Sequence, residues 1–570
     1  MTNFRIDKRS FLPEAVRTWV DADPRHENWP VVYTLNNRKE VYVGESLKAV
    51  KRMRQHRASP NKKNFHEINL IIGDSFNKSA CLDLESFLIK LFAGDKKYQV
   101  LNRNEGIIDA DYFNRAAYQD TFHEIFEELR RAGMFTRKIP EIENSELYKL
   151  SPFKALNPEQ ASTVTEILEA LFQDIELDQN STSVVQGDPG TGKTIVAIYL
   201  MKLLRDIAAT VPGPELDSDS FFADFFLEGH SELLQGFHIG LVVPQQSLRK
   251  SIQRVFDKTP GLAKSMVLTP FNVGESKEEF DLLIVDETHR LNQRANQSSG
   301  AQNKKFIEIN QNLFGNDDSN WTQLDWIKKK SKHQILLLDT EQTVRPADLP
   351  RKTTTELVYE ARSAHRHHRL QSQMRLQTGG DYIRYIHEIL GGSQVGRLDF
   401  PEYELRMFDD FGQMQEAIRD KDAVYGLSRL IAGYAWPWAS KREPTAFDIE
   451  LDGRRLRWNS QIVDWISSPG SLEEVGSIHT VQGYDLNYAG VIIGNDLRYD
   501  PIRHRTYFDR ASYFDVKGKE NNRLRAKPYS DDELLKYIVN VYRVLMTRGM
   551  KGSYLYVCDP DLREYLRQFV

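Results

Sequence analysis

The chain has 570 residues, a formal net charge of −5, 28% charged and 40% hydrophobic residues; this is an ordinary globular composition, too long for one core, so roughly three or four domains are expected. No global positive charge draws it to nucleic acid, so any polyanion contact must come from local basic surface. Its two cysteines, Cys81 and Cys558, exclude a disulfide or zinc framework and point to a reducing, cytoplasmic setting; no window carries the roughly 18 apolar residues of a membrane span, so no membrane partner is expected.

The first informative stretch, VVYTLNNRKEVYVG at 31 to 44, is two β-prone runs around Asn36, Asn37 and Arg38, which predicts a hairpin with Tyr33 and Tyr42 on paired strands. A helix over Ser46 to His56 carries Lys48, Lys51, Arg52 and Arg54, and no acidic residue stands between Ser46 and His66; that run suits a phosphate backbone. A strand at Ile68 to Ile72 follows, then a helix with Leu84, Phe87, Leu88 and Leu91 as its apolar face and Glu85 off that face, then a strand at Tyr98 to Leu101 and Asn102. Taken singly, strand tyrosines usually pack and helix glutamates are usually solvated.

Over about the first 110 residues this order resembles the GIY-YIG nuclease family. VVY stands at GIY, YVG at YIG, KRMRQH at 51 to 56 at the arginine helix, and LDLESFLIKLF supplies the single glutamate. The resemblance implies that Tyr33 and Tyr42 orient or deprotonate the attacking water, that Arg52 clamps the scissile phosphate, and that Glu85 holds one divalent ion, Mg²⁺ or Mn²⁺. His56 is either the base or a phosphate contact. The chemistry agrees: a metal polarises the phosphoryl oxygen and a guanidinium matches phosphate geometry.

Between about Asp111 and Pro152 a polar helix with Phe122, Ile125, Phe126 and Leu129 as its stripe reads as a connector. Gln160 then lies at the mouth of the next domain, in NPEQ, where a side-chain amide could read an adenine edge. The strongest motif follows. Gly187, Asp188, Pro189, Gly190, Thr191, Gly192, Lys193 and Thr194 spell GDPGTGKT between a β-prone run and an amphipathic helix, the context of a phosphate-binding loop for ATP. Lys193 would reach the β- and γ-phosphates and Thr194 would offer its hydroxyl to Mg²⁺.

FDLLIVDETHRL at 280 to 291 is an apolar strand ending in two carboxylates. Asp286 is expected to hold Mg²⁺ and Glu287 to activate the water that attacks the γ-phosphate; His289 is either a coupling residue or a satisfied core group. QILLLDTEQ places Gln342 as a γ-phosphate sensor; LQSQMR ends in Arg375; Gln482 and Gly483 precede another buried strand; Arg548 stands on a helix before the last strand. A second strand-rich block with arginines and no second phosphate loop is explained if Arg375 and Arg548 reach ATP across a cleft. Basic and aromatic residues interleave from Arg498 to Lys527, which reads equally as a strand-binding surface or a solvated loop.

From Gln160 through Arg548 the order resembles superfamily 1 helicases. AGYAWPW, RWN, HTVQGYDLNYAGVIIG and YRVLMTRGMKG look like the DUF2075 group of helicase-like ATPases, related to the helicase part of Schlafen proteins. The expected fold is therefore α/β: a small GIY-YIG domain over 1–115, a connector over 116–152, and two RecA-like parallel-sheet domains over 153–348 and 349–570, the second with an insertion at about 395–475. The expected function is an ATP- and Mg²⁺-dependent helicase or translocase coupled to a metal-dependent endonuclease, acting on DNA ahead of RNA, with processing or anti-phage defence suggested by the fusion. The alternative is an ATPase motor or ATP-gated switch whose N-terminal domain only binds nucleic acid.

Overall fold

A computed structural model of the chain describes residues 4–12, 23–59, 62–103, 111–210, 221–227, 229–295, 297, 299–340, 342–374, 380–393, 395–461, 465–481, 484–522, 524 and 527–570. They form two compact units: one of 1–177 with 195–237 and 251–266, the other of 178–194, 238–250 and 267–570.

In the first unit, β1 (Phe4–Ser10), β2 (Val31–Asn36), β3 (Glu40–Ser46), β4 (Glu67–Gly73) and β5 (Gln99–Val100) form one sheet in the order β1-β4-β2-β3-β5. All its pairings are antiparallel except β3 with β5. Residues of period two divide between its faces. Tyr33 and Leu35 pack with Met53 and Phe65 on one face. Val32, Val41 and Val43 pack on the other with Leu84, Leu88 and Leu91 of helix Lys78–Asp95. Asn102 fixes β3, its side chain donating to the Val43 carbonyl (2.7 Å) and accepting from the Val43 N–H (3.1 Å).

The expected connector is part of this core. Phe122, Ile125, Phe126 and Leu129 of helix Arg115–Arg131 are buried in the same cluster as Leu84 and Leu88, because its apolar stripe needs a partner and the sheet-bound helix supplies one. Glu146 further ties the segment in, accepting from Ser251 (2.7 Å) and Arg254 (2.7 Å).

The second unit holds two all-parallel sheets. The first takes β6 (Ser181–Gly187), β7 (Ile239–Val242), β8 (Val267–Leu268), β9 (Phe280–Val285), β10 (Ser331–Leu338) and β11 (His367–Leu370) in the order β11-β6-β10-β9-β7-β8. The second takes β12 (Glu404–Met407), β13 (Ser428–Ala432), β16 (Val475–Ser477), β17 (Leu486–Ile493) and β20 (Gly549–Val557) in the order β12-β20-β17-β13-β16. Two antiparallel hairpins stand apart, β14 (Ile449–Leu451) with β15 (Arg454–Leu456), and β18 (Leu497–Asp500) with β19 (Arg505–Phe508). β9, β10 and β17 are buried from end to end or nearly so, as strands covered on both faces must be.

Two boundaries differ from expectation. β11 adds to the first sheet beyond residue 348, pairing His367 to Leu370 with Val184 to Gly187. The stretch at 395–475 supplies β12 and β13 to the second sheet and runs into β16, so of its described strands only β14 and β15 lie off that sheet. Short strands edged by polar residues do not show the long apolar runs that mark β9 or β10, so they read as inserted sequence. Among the described residues no helix is long and apolar enough to cross a membrane.

Candidate functional site

The nucleotide loop joins β6 to helix Lys193–Ala208. Parallel strands end at one edge, so the loop after β6 and the residues after β9 and β10 converge there. Gly190 (φ 85°) and Gly192 (φ 82°) take the left-handed conformation that turns loop N–H groups to one side. Gly187 is required by crowding: a Cβ there would meet Thr191 Oγ1 at 2.5 Å and the Leu370 carbonyl at 3.1 Å. Lys193 is buried, and its ammonium donates to the carbonyls of Gly187 (2.6 Å) and Asp188 (3.0 Å).

Thr194 Oγ1 donates to Asp286 Oδ2 at 2.7 Å. Burial first, then the adjacent Glu287, push the Asp286 carboxyl above its ordinary range. Burial alone would raise Glu287 as well, but the close approach of His289, with Lys193 and Arg290, holds it low. His289 Nε2 stands 3.0 Å from Glu287 Oε2, and its Nδ1 accepts from the Asp339 N–H at 3.3 Å. Glu287 is left-handed (φ 50°), a strained conformation for a residue with a side chain. Burial and Asp339 also raise Asp188, against Lys193, Arg543 and Arg369. Carboxylates thus crowd a loop built for anions, and the convergent Thr194 and Asp286 oxygens are a donor set that a hard divalent cation completes. Among the described residues no three His, Cys, Asp or Glu side chains form a metal cage; Mg²⁺ ordinarily needs none, because it keeps waters and substrate phosphates as ligands.

Gln342 is buried, and its side-chain oxygen has no hydrogen-bond partner among the described residues, an acceptor free for a water proton. Gln373 Nε2 donates to the Pro189 carbonyl (2.8 Å) and the Met374 N–H to the Gly190 carbonyl (2.8 Å), so the chain is fastened to the loop up to the residue before Arg375. Arg375 and Gly483 themselves lie outside the described residues, as does Gln482. Arg548 is buried and donates to the carbonyls of Val544 and Tyr484, both at 3.3 Å. The helix arginine whose charge bears on Asp188 is Arg543, which motif reading missed. In the first unit Gln160 closes a capping box: its side-chain oxygen accepts from the Asn157 N–H (3.2 Å) and Asn157 Oδ1 accepts from the Gln160 N–H (2.8 Å).

A groove of about 380 Å³ in the second unit is lined by Gln245, Gln246, Arg290, Arg345, His479 and Lys517, with Phe271 as an aromatic wall. The interleaved run, which sequence left open between a strand-binding surface and a solvated loop, has several of its residues in structural roles. Tyr499 stacks on Tyr565 at 4.2 Å, Phe508 and Tyr513 are buried in the core, and Arg498 and Arg510 pair with Asp559 and Asp531. Arg523 and Arg525 lie outside the described residues.

The second candidate site lies in the first unit, on the helix Ala49–Ala58 face of the sheet. Tyr33, directly across from Gly44 in the β2–β3 register, lays its ring where a Gly44 side chain would be; a Cβ would stand 2.5 Å from Tyr33 Cζ. The Tyr33 and Tyr42 rings are 6.3 Å apart, and His56 lies 5.7 Å from the first and 5.3 Å from the second. Tyr33 Oη and His56 Nε2 are 2.7 Å apart. Arg52 and Glu85 are both close enough to Tyr33 to bear on it electrostatically, so the structure brings the five predicted residues together. Burial, then Lys62 and Arg52, lower His56 to about 2, and burial raises Tyr33 well above its usual range. Lys62, which sequence reading left as one more basic residue, stands 2.9 Å from His56 Nδ1 and 3.9 Å from the Tyr42 ring centre. Glu85 supplies a single carboxylate, which fits an ion held mainly by water and substrate.

A family model described as Schlafen group 3, DNA/RNA helicase domain, matches residues 180–559. The uncharacterized protein YPL245W of Saccharomyces cerevisiae is 27% identical over an alignment of 419 residues that covers 67% of this chain and 83% of that protein. Among solved structures, an Arterivirus nonstructural protein 10 (helicase) in complex with DNA has a TM-score of 0.27 at 13% identity, with 71% of this chain and 66% of that chain covered. The Pif1 helicase from Bacteroides, in complex with ADP-AlF3 and ssDNA, has a TM-score of 0.24 at 11% identity, with 70% and 94% covered. The family match takes in the phosphate loop, both parallel sheets and the groove, and more than half of the chain: this protein belongs to the Schlafen group 3 DNA/RNA helicase domain family.

Proposed function

We propose that the chain is an ATP-driven nucleic-acid translocase or helicase with a metal-dependent endonuclease at its N-terminus. The observation that carries the motor half is the convergence of Lys193, Thr194, Asp286 and Glu287 at one sheet edge, with the polar groove in the same unit. In this reading the loop N–H groups and Lys193 hold the β- and γ-phosphates, Thr194 and Asp286 hold Mg²⁺, and Glu287 takes a proton from water that Gln342 orients. Magnesium supplies neutralisation of the charge that develops on the phosphates. Arg543 joins Arg375 and Arg548 as a candidate for stabilising that charge. The groove's amides and cations suit a strand held by its backbone. Gln160 as adenine reader and Gly483 as a nucleotide contact belong to the same proposal.

The nuclease half rests on the cluster of Tyr33, Tyr42, Arg52, His56 and Glu85. Arg52 would hold the scissile phosphate, Glu85 one Mg²⁺ or Mn²⁺, and the tyrosines the attacking water. One observation favours a second reading, that this domain binds nucleic acid without cutting it: Tyr33 and His56 are both 0% exposed. Labelled single- and double-stranded DNA and RNA, incubated with Mg²⁺ or Mn²⁺ with and without ATP, test both halves. Failure of every polynucleotide to stimulate ATP turnover sinks the motor; cleavage by Glu85→Ala equal to wild type sinks the nuclease.

A further inference from the structure

We infer that Lys62 is a positioning residue that fixes the proton of the His56 ring on Nε2, so that His56 donates to Tyr33 Oη instead of accepting from it. The catalytic consequence rests on the nuclease reading above; the lock itself does not. An ammonium has three donors and no acceptor. Lys62 Nζ lies 2.9 Å from His56 Nδ1, so Nδ1 is the acceptor and carries no proton. The ring is neutral in this buried setting, between the charges of Lys62 and Arg52, and its one proton is therefore on Nε2. Nε2 faces Tyr33 Oη at 2.7 Å, and the phenol oxygen is the acceptor.

The Arg52 guanidinium bears on the same phenol, its positive charge favouring negative charge on Oη against the burial that disfavours it. With Nε2–H donating to Oη, the phenol's own proton points away from His56. His56 thus anchors the oxygen and is no base toward Tyr33. The ammonium is held in place from a second side, 3.9 Å from the Tyr42 ring centre. One lysine thereby sets the hydrogen-bond direction at one tyrosine and packs on the other.

The test uses the full chain labelled with ¹⁵N-histidine and long-range ¹H–¹⁵N correlation spectra at neutral pH, with His56 identified among the 14 histidines by the signal missing in His56→Gln. Wild type and Lys62→Arg should show an unprotonated-type Nδ1 and a protonated-type Nε2. Lys62→Met should move His56 to a mixed or inverted tautomer, and should lower kcat for cleavage roughly 10-fold or more with KM little changed, as loss of an outer-shell orienting group does. A wild-type proton on Nδ1, or an unchanged tautomer in Lys62→Met, overturns the inference. The wild-type spectrum decides the lock even where Lys62→Met does not fold. If no form cleaves any substrate, the nuclease reading falls while the spectra still settle the tautomer.

Discussion

His289 ties the end of β9 to the end of β10, one ring nitrogen 3.0 Å from the Glu287 carboxylate and the other accepting from the Asp339 N–H. Replacing it with alanine removes both and frees a strained glutamate. His289→Ala should therefore lower kcat for ATP roughly 10-fold, measured as steady-state turnover with polynucleotide; an unchanged kcat removes His289 from the hydrolytic site. At the other site, Gly44→Ala puts a methyl group against the Tyr33 ring. We expect a stability loss of about 1–3 kcal/mol in denaturant titration, and a fall in cleavage larger than that loss explains, because Tyr33 must move. The GDPGTGKT loop was legible because a backbone that wraps phosphates demands glycines and a lysine at that spacing; the tyrosines and Glu85 were singled out only by the family resemblance. Arg543 was not legible: it stands on helix Asp531–Met546 while Arg548 lies past the end of that helix, and no spacing rule says which of the two meets the loop. Lys62 was hidden among other basic residues, since its role depends on the fold of the loop that carries it.

At the scale of elements, Asp348 closes the turn after β10. Its carboxylate accepts from the N–H groups of Val344 (3.3 Å) and Arg345 (3.2 Å) and stands 3.6 Å from both the Arg290 and Arg345 side chains, two residues of the groove. Asp348→Ala leaves the buried Arg290 short of its counter-charge. A loss of about 3–5 kcal/mol is expected from thermal or denaturant unfolding, along with weaker binding of labelled single strands; a stable variant with full affinity would show that the turn holds itself. Asp496, just after β17, is buried, takes a hydrogen bond from Tyr542, and is raised to about 7, chiefly by burial. A carboxyl raised on folding stabilises fully below its unfolded value, and that stability is lost as pH climbs through the folded one. Stability should thus fall from about pH 4 to 7 by at most about 1.4 kcal/mol per unit from this group, and Asp496→Asn should flatten that slope in unfolding titrations at stepped pH. The long strands were legible as apolar runs, β9 and β10 above all. β12 and β16 were not, since three or four residues at a sheet edge carry too few side chains to show a period.

For the whole molecule, the phosphate loop and the tyrosine cluster belong to different compact units, so single substitutions should separate their activities. Lys193→Ala is expected to abolish ATP turnover while leaving metal-dependent cleavage of short substrates measurable. Glu85→Ala is expected to abolish cleavage while leaving polynucleotide-stimulated ATP turnover within about two-fold of wild type, since a substitution at one half-buried residue of a separate core is nearly additive with the other unit. Parallel ATPase and cleavage assays on both variants check this, and loss of both activities in either would mean that the units work only together. The α/β class and parallel sheets followed from the helicase resemblance, with the apolar strands that end in carboxylates in agreement. The division of the chain did not: helix Lys193–Ala208 begins in one unit and continues in the other, and only three-dimensional packing assigns it.

The bonds from Gln373 and Met374 to the Pro189 and Gly190 carbonyls have a bearing on timing. The same short loop that would wrap the phosphates also moors the strand of chain running out of the first sheet toward the second. Any reshaping of that loop by an incoming anion must either carry the moored segment with it or break those two bonds. A message about nucleotide occupancy can therefore leave along the covalent backbone, before any side chain has crossed from one sheet to the other.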